Sequence, residues 1–550
     1  MEKKVKVLGF DVSVKKSSKK KISKDIVDAK SLLNYLKIYK EAKAVQDKKI
    51  LENEEWFKMN YWQFINGGKN DNIAPSTSYL LNSIWNKHAD AMDNSPEAIF
   101  IEREEKDKQE AENLTKIVPL VLDKCGFDKV YSDAWWYKLK QGACMYGVFW
   151  DSEKENGLGD ISIKKIDMLR VYFEPFIDNI QESKYVFILS LIDFDELSKK
   201  FPDADISANA KELKMQGYFS EQNESSLEGK ACIIDCYERG KNEVGKDVVH
   251  LTQIVGQEII YSTKLDPLYS EKGIYQHGMY PFASDNFLPI ENSLFGMGMI
   301  DICKGVQASI DKLDYIIERN SYISGKPKWI YKKSCGINID QLKDLSNDFV
   351  EASGSISDET LRQFQTNAIP SQIMDYRKDK IVELKEITAT RDFNQGGTLR
   401  GVTAFGAITA LQEAGSKLSR DVIKNSYSSF KDIIYMVVEL IREFYTEQRK
   451  FRITGENENS YISYSNNGLS PQEIKSPTQS GEKMYRKAIF DIKVEPQRKS
   501  PFNISKHNDM ILSLFKEGAF DKEKKEQTII ALKSMVLDSK ESLIKIIEEN

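Results

Sequence analysis

Residues 299–323 leave little choice but one long helix. Their apolar positions Ile302, Val306, Ile310, Leu313 and Ile317 recur at steps of four, four, three and four, which lines them along a single stripe. At 1.5 Å per residue such a helix is about 35 Å long. Gly325 and Pro327 stop it, and the stretch before it, YPFASDNFLPIENSLFGMG at 280–298, carries two prolines and two glycines that break the preceding structure. The fold therefore has to contain a rod with separate pieces at its two ends.

The piece on the carboxyl side of the rod is small. Residues 326–369 read as a compact insert: a basic strand, KPKWIYKK, a helix near 340–350, a Gly/Ser turn and a polar stretch to Pro370. A second helix starts at Ser371, so two helices flank the insert. After it comes NQGGTLRGVTAFGAITALQEAG at 394–415, glycines running into a helix, and helical periodicity continues to about residue 447. Within it IIYMVVELI, 433–441, is the longest apolar run, too short for a membrane span and better read as the buried part of that helix.

Upstream, 1–25 with its KKSSKKK cluster reads as a flexible basic tail. Helical periodicity occupies 26–66, a helix opens after Pro75-Ser76, and further helix fills 102–124 and continues through 130–136. From QGACMYGVFWD onward the pattern changes to strands, at 161–173, 184–193, 231–238, 249–254 and 258–262. Beyond 448 the chain thins into Asn/Ser/Gly loops, with a strand at 488–494 and helices after Pro501. The fold class is thus α+β, mainly helical. With 550 residues and 41% hydrophobic content, several domains with real cores are expected.

Charge narrows the partners. The net charge of −5 excludes a globally basic nucleic-acid binder, although the first fifty residues hold fifteen lysines against six acids. The amino terminus has no apolar core of a signal peptide, so the chain is expected to stay where it is made, with no membrane partner.

The glycine stretch at 394–415 invites a nucleotide-binding reading. Gly396 and Gly401 have the P-loop spacing and Thr403 follows correctly, but Val402 stands where the phosphate-binding lysine belongs. The preceding SQIMDYRKDKIVELKEITAT is charged and helix-like, not the buried strand that a P-loop follows. A degenerate P-loop ATPase acting on nucleic acid therefore remains only as an alternative, beside a cytoplasmic scaffold protein with a basic tail. The small residues Ala404, Gly406, Ala407, Thr409, Ala410, Ala414, Gly415 and Ser416 instead suit close packing against neighbours or against copies of the same helix. Catalysis finds no support: His88, His250, His277 and His507 are isolated, and Cys232 and Cys236 lack a second pair at a metal-site spacing. No cofactor and no metal is expected.

The order of these pieces resembles the portal proteins of tailed bacteriophages over roughly residues 50–447. The resemblance lies in EEWFKMNYWQFINGG and APSTSYLLNSIWNKHADAMDNSPEAIF, in QGACMYGVFWD and VYFEPFIDNIQESKYVF, and above all in YPFASDNFLPIENSLFGMGMIDICKGVQASIDKLDYIIERNSYISGKPKW. That last piece looks like the descent into a portal stem: a proline-bearing strand, a turn, then a long helix with a central Gln ending at Gly-x-Pro. The resemblance implies a tail at 1–25, an α/β wing at 26–298, a first stem helix at 299–325, a clip at 326–369 and a second stem helix at 370–390. It further implies a tunnel loop at 391–403, a long helix and the rest of the wing at 404–500, and a helical crown at 501–550.

The same resemblance implies a ring of copies, a dodecamer as a rule, at one capsid vertex of the virion, assembled in the host cytoplasm. Double-stranded DNA would pass through it without sequence specificity during packaging and ejection. Its partners would be the terminase packaging motor, the major capsid and scaffolding proteins and a head-completion adaptor. Arg391, Asn394, Gln395, Thr398 and Arg400 become candidates to touch the DNA backbone, since phosphate contacts position a duplex without reading it. Lys326, Lys328, Lys332 and Lys333 become candidates for docking partners on the clip. The alternating charges Asp311, Lys312, Asp314, Glu318 and Arg319 on one helix, and Asp375, Arg377, Lys378, Asp379, Lys380 and Glu383 on the other, are expected to be solvated or to pair between neighbouring subunits.

Overall fold

The computed structural model describes residues 3–7, 10–14, 28–65, 77–201, 230–243, 245–325, 329–343, 349–357, 359–363, 369–389, 417–454, 459–474, 484–496, 501–518, 525–535, 543–544 and 546–547. The chain divides into two compact units, one formed by Met1–Glu54, Trp85–Met299 and Ser416–Asn550, the other by Glu55–Ile84 and Ile300–Gly415. The architecture is α+β.

The first unit is built on two antiparallel sheets. In the larger, five strands lie in the order Glu258–Ser262, Asp247–Val255, Lys230–Lys241, Tyr185–Asp193, Val171–Phe173, so neighbours in the chain are neighbours in the sheet. Period-two alternation sorts its side chains between faces. Cys232, Ile234 and Cys236 face the helix Ala29–Phe57 and pack with its Leu32, Leu36 and Tyr39, whereas Ala231, Ile233 and Val255 pack with Leu197 and Phe201 from the other side. The two cysteines that share a sequence spacing are therefore buried packing residues, and all six thiols of the chain are free.

In the smaller sheet Ala143–Asp151 lies between Phe282–Asn286 and Asp160–Ile166. Every residue of that central strand except Asp151 is buried, as expected for a strand covered on both faces. The helix Lys417–Phe444 packs here through the predicted apolar run: Ile433, Ile434, Met436, Val437, Val438, Leu440 and Ile441 are all buried, Phe430 meets Phe127 at 5.5 Å and Phe444 stacks on Trp150 at 4.6 Å.

Several local expectations need correction. The segment 280–298, a break by its prolines and glycines and a proline-bearing strand with a turn by the resemblance, holds three strands, Phe282–Asn286, Leu288–Ile290 and Ser293–Met297, with Pro289 inside the second. Its glycines are demanded by backbone crowding, because a Cβ on Gly296 would lie 2.4 Å from the Leu288 carbonyl oxygen, and one on Gly142, at φ +89°, would lie 2.3 Å from the Gly296 oxygen. The first residues, expected as a tail without regular structure, include strands Lys3–Val7 and Phe10–Val14 paired antiparallel; the alternation in KVKVLGFDVSV supports them, while KKSSKKK lies outside the described residues. The helix expected from 102 starts at Lys108, after a strand Pro96–Glu102 that pairs with Phe490–Pro496. The loops expected beyond 448 contain a hairpin of Arg449–Thr454 with Asn459–Tyr464. The helix expected near 340–350 is described only as Ile339–Lys343.

The closing helices Pro501–Lys516 and Lys525–Ser534 are present and share a small core of Ile511, Ala531 and Met535.

In the second unit the two expected rods are Met299–Gly325 and Ser371–Ile387. Between them, Trp329–Tyr331 pairs antiparallel with Leu361–Gln363, and Ile337 bridges to Ala352. Gly336, at φ +58°, turns the chain inside this insert.

Candidate functional site

The second unit carries the features singled out for function, and its rods are held by polar groups more than by the apolar stripe. Of the stripe residues only Ile310 is buried; Ile302, Val306, Leu313 and Ile317 are half-buried. The other buried positions of the first rod are Cys303, Gln307 and Asp311, besides Met299 and Ile300 at its start. The central Gln307 uses its whole amide: Oε1 accepts the Leu80 N–H at 3.1 Å, and Nε2 donates to the Thr77 carbonyl at 3.2 Å and to Asp311 Oδ1 at 2.8 Å.

This corrects the expectation for Asp311, which is neither solvated nor available to a neighbouring subunit. It sits one turn beyond Gln307 on the same face, and burial pushes its carboxyl up to about 6. Asp314 is also engaged within the chain: its carboxylate receives Arg377 Nε and, at 3.1 Å, Nη2, a two-point pair that joins the two rods. Arg377 is raised above its ordinary value by that pairing. Lys378 with Asp375 and Lys380 with Glu383 close turns of their own helix at 3.2 and 2.6 Å. At the far end of the second rod Leu384 is buried, and Thr388 Oγ1 reaches Ser83 Oγ at 3.4 Å.

The insert between the rods presents an apolar surface. Trp329, Ile330 and Tyr331 are three consecutive exposed residues of one strand, and Ile339, Val350 and Ile356 are exposed as well, with Phe349 89% accessible. A two-stranded ribbon of this kind has little core of its own; Cys335 is buried there, its thiol donating to the Lys332 carbonyl at 2.9 Å. The rods add exposed Ile316, Tyr322, Met374 and Val382. Reading KPKWIYKK for its charges overlooked these side chains; the signal was available in the unbroken WIY, which no alternation can bury on one face.

Among the insert candidates, Lys332 and Lys333 are exposed, and the Lys332 N–H donates to the Thr360 carbonyl at 2.8 Å, which fixes the backbone beneath the two ammonium groups. Lys326 and Lys328 lie outside the described residues, as do Arg391, Asn394, Gln395, Thr398 and Arg400 with the whole 394–415 stretch.

The histidines all have local structural partners. His88 stacks on Trp136 at 4.0 Å and its Nε2 meets the Ser132 hydroxyl at 3.1 Å; His250 Nδ1 meets the Thr263 hydroxyl at 3.2 Å. His277 Nδ1 accepts the Met279 N–H at 3.0 Å and is pushed down to about 4 by burial, and His507 Nε2 lies 2.8 Å from the Ser534 carbonyl. Among the described residues no group of three His, Cys, Asp or Glu side chains is placed to hold a metal, and no helix is long and apolar enough to cross a membrane.

Comparison with known proteins adds one finding. The family model described as "Phage P22-like portal protein" matches residues 89–277 and 339–550, leaving out the stretch with the first rod. No curated protein matches the chain.

Proposed function

This chain belongs to the phage P22-like portal protein family, and on that premise we propose that it is the subunit of a ring at one capsid vertex, through whose channel double-stranded DNA is packaged and ejected. The family is a structural one, and its members act in the phage particle as assembled portals. In this reading Met299–Gly325 and Ser371–Ile387 are the stem helices, 326–369 the clip, 391–403 the tunnel loop and 501–550 the crown.

The observation that carries the reading is the arrangement of the second unit. Two long helices, tied by the Arg377–Asp314 pair, bracket a small β ribbon whose aromatic and aliphatic side chains face water in the single chain. Exposed apolar surface of this kind marks a surface meant for a partner. Identical copies around a closed ring supply one at every position, each subunit covering the next through a head-to-tail contact. Lys332 and Lys333 remain accessible on the clip for an acidic face of the packaging motor or adaptor.

DNA in transit must not be held. Each phosphate neutralised by a cation releases counterions and tightens binding, so a channel works best with few fixed positive charges. On the described part of the second stem helix, Arg377 is paired with Asp314, and Lys378 and Lys380 are paired within the helix. The loop candidates Arg391, Asn394, Gln395, Thr398 and Arg400 are the groups proposed to touch the duplex.

Electron microscopy and sedimentation of the full-length protein at high concentration test the reading. Rings of several hundred kilodaltons with a central hole are expected. A monomer at every concentration and in every buffer would rule the proposal out.

A further inference from the structure

We propose that the Gln307–Asp311 pair is a proton-operated latch, which holds the start of the helix Tyr79–Asp93 against the first stem helix when the Asp311 carboxyl is protonated and loosens when it is ionised. All the groups of the latch belong to one chain.

The Leu80 N–H belongs to the first turn of its helix and has no partner within that helix. One neighbouring amide, that of Leu81, is capped locally by Ser78 Oγ at 3.1 Å. Leu80 is capped instead by Gln307, 227 residues away in sequence, while the other end of the same amide holds the Thr77 carbonyl. The orientation of the Gln307 amide thus decides whether this helix start is anchored, and Asp311 Oδ1 sets that orientation.

The second oxygen of Asp311 is the unusual one. Asp311 is fully buried, and its Oδ2 has no hydrogen-bond partner among the described residues. The Tyr61 hydroxyl, itself buried, faces the carboxyl and favours its ionised form, but by less than burial opposes it. An ionised carboxylate buried away from water is costly here, because Gln307 and Tyr61 return less than the solvation the group has lost. A proton on Oδ2 converts that oxygen into a donor, with the Tyr61 hydroxyl as acceptor, and leaves Oδ1 free to keep Gln307 in place.

The surrounding charges favour the protonated form. Asp314, one turn along the same helix, opposes ionisation of Asp311, and the Arg377 guanidinium from the second stem helix is occupied by Asp314. Burial is the larger cause and places the carboxyl near pH 6. The closed latch therefore keeps its proton over a range in which the loosened form, titrating near the ordinary value of about 4, has already lost it. Closure is favoured fully below that ordinary value, loses ground as pH rises to about 6, and is constant above.

Hydrogen exchange read by mass spectrometry on the full-length protein tests this, using peptides that cover residues 77–84 and correcting for intrinsic exchange. Wild-type protection is expected to fall roughly tenfold per pH unit between about 4.5 and 6 and then to level off. D311N is expected to stay protected across the whole range, and Q307L to lose protection of these peptides at every pH while peptides of the five-stranded sheet are unchanged. Wild-type protection that ignores pH, or a D311N protein that keeps the wild-type slope, overturns the latch. The wild-type slope is measured on the native chain, so a variant that fails to fold leaves the test decisive.

Discussion

At the scale of single residues, the molecule buries charge where its sequence advertises solubility. Lys138 lies in FDKVYSDAWWYKLKQ, a helix whose lysines suggest an exposed face, yet it is fully buried, 2.8 Å from Asp285 and 4.3 Å from the Trp135 ring, with Ser426 Oγ as a further partner. The ion-pair and hydroxyl partners come from a strand near 285 and a helix near 426, and only the Trp135 ring is local. Asp235 gives a sharper case with a measurable sign. It is buried in the five-stranded sheet, accepts Gln253 Nε2 at 2.7 Å, and is pushed up to about 6 by burial, while Gln253 Oε1 has no partner among the described residues. The native state holds this proton at pH values where the unfolded chain has released it, so the stability that the group brings is complete below about pH 4 and lost by about pH 6. At pH 7 the ionised carboxyl costs at most about 3 kcal/mol. D235N keeps the acceptor and adds a donor for Gln253 Oε1. Calorimetry should show a higher melting temperature than wild type at pH 7, with the gap closing towards pH 4.5; an equal gap at both would mean that packing, not the proton, is responsible.

At the scale of elements, periodicity made the rods and the meander of strands legible, because their patterns repeat at 3.6 and 2 over enough residues to stand out. Strands Tyr185–Asp193, Asp247–Val255 and Glu258–Ser262 appear within a residue or two of their expected bounds. The short strands of 280–298 and the hairpin at 449–464 did not, since Pro, Gly and Asn usually mark turns and here sit inside paired segments. The small residues of QGA and FGMG are needed because Gly142 and Gly296 come within reach of each other's backbone, a proximity that neither stretch shows on its own. The loop of the proposed channel carries the element-scale prediction. Deleting residues 394–401 should abolish or strongly reduce DNA packaging or retention, scored as filled heads in a complementation assay, while rings still form; loss of the rings themselves would make the loop a structural part of assembly.

At the scale of the whole molecule, the apolar ribbon of the second unit is exposed in the single chain. If neighbouring copies cover it, replacing Trp329, Ile330 and Tyr331 together by serine should raise the protein concentration at which rings appear by tenfold or more, read by sedimentation velocity, with the far-ultraviolet circular dichroism unchanged. Assembly at the wild-type concentration would show that the ribbon serves another partner, such as the packaging motor, and not the ring. Asp314 and Arg377, whose charges suggest pairing between subunits, are already paired within one chain.

By itself the sequence determined where the long helices and the strands of the five-stranded meander lie, that two rods bracket a small insert, and that no phosphate-binding lysine stands in the glycine loop, because periodicity, turn residues and a missing side chain are local properties. The tertiary structure alone decided that Asp311 and Lys138 are buried, that Gln307 caps a helix more than two hundred residues away, and that a C-terminal strand completes a ribbon begun at Pro96. These depend on which distant segments meet, and burial turns the same carboxylate or ammonium from a solvated charge into one that must find a partner or a proton.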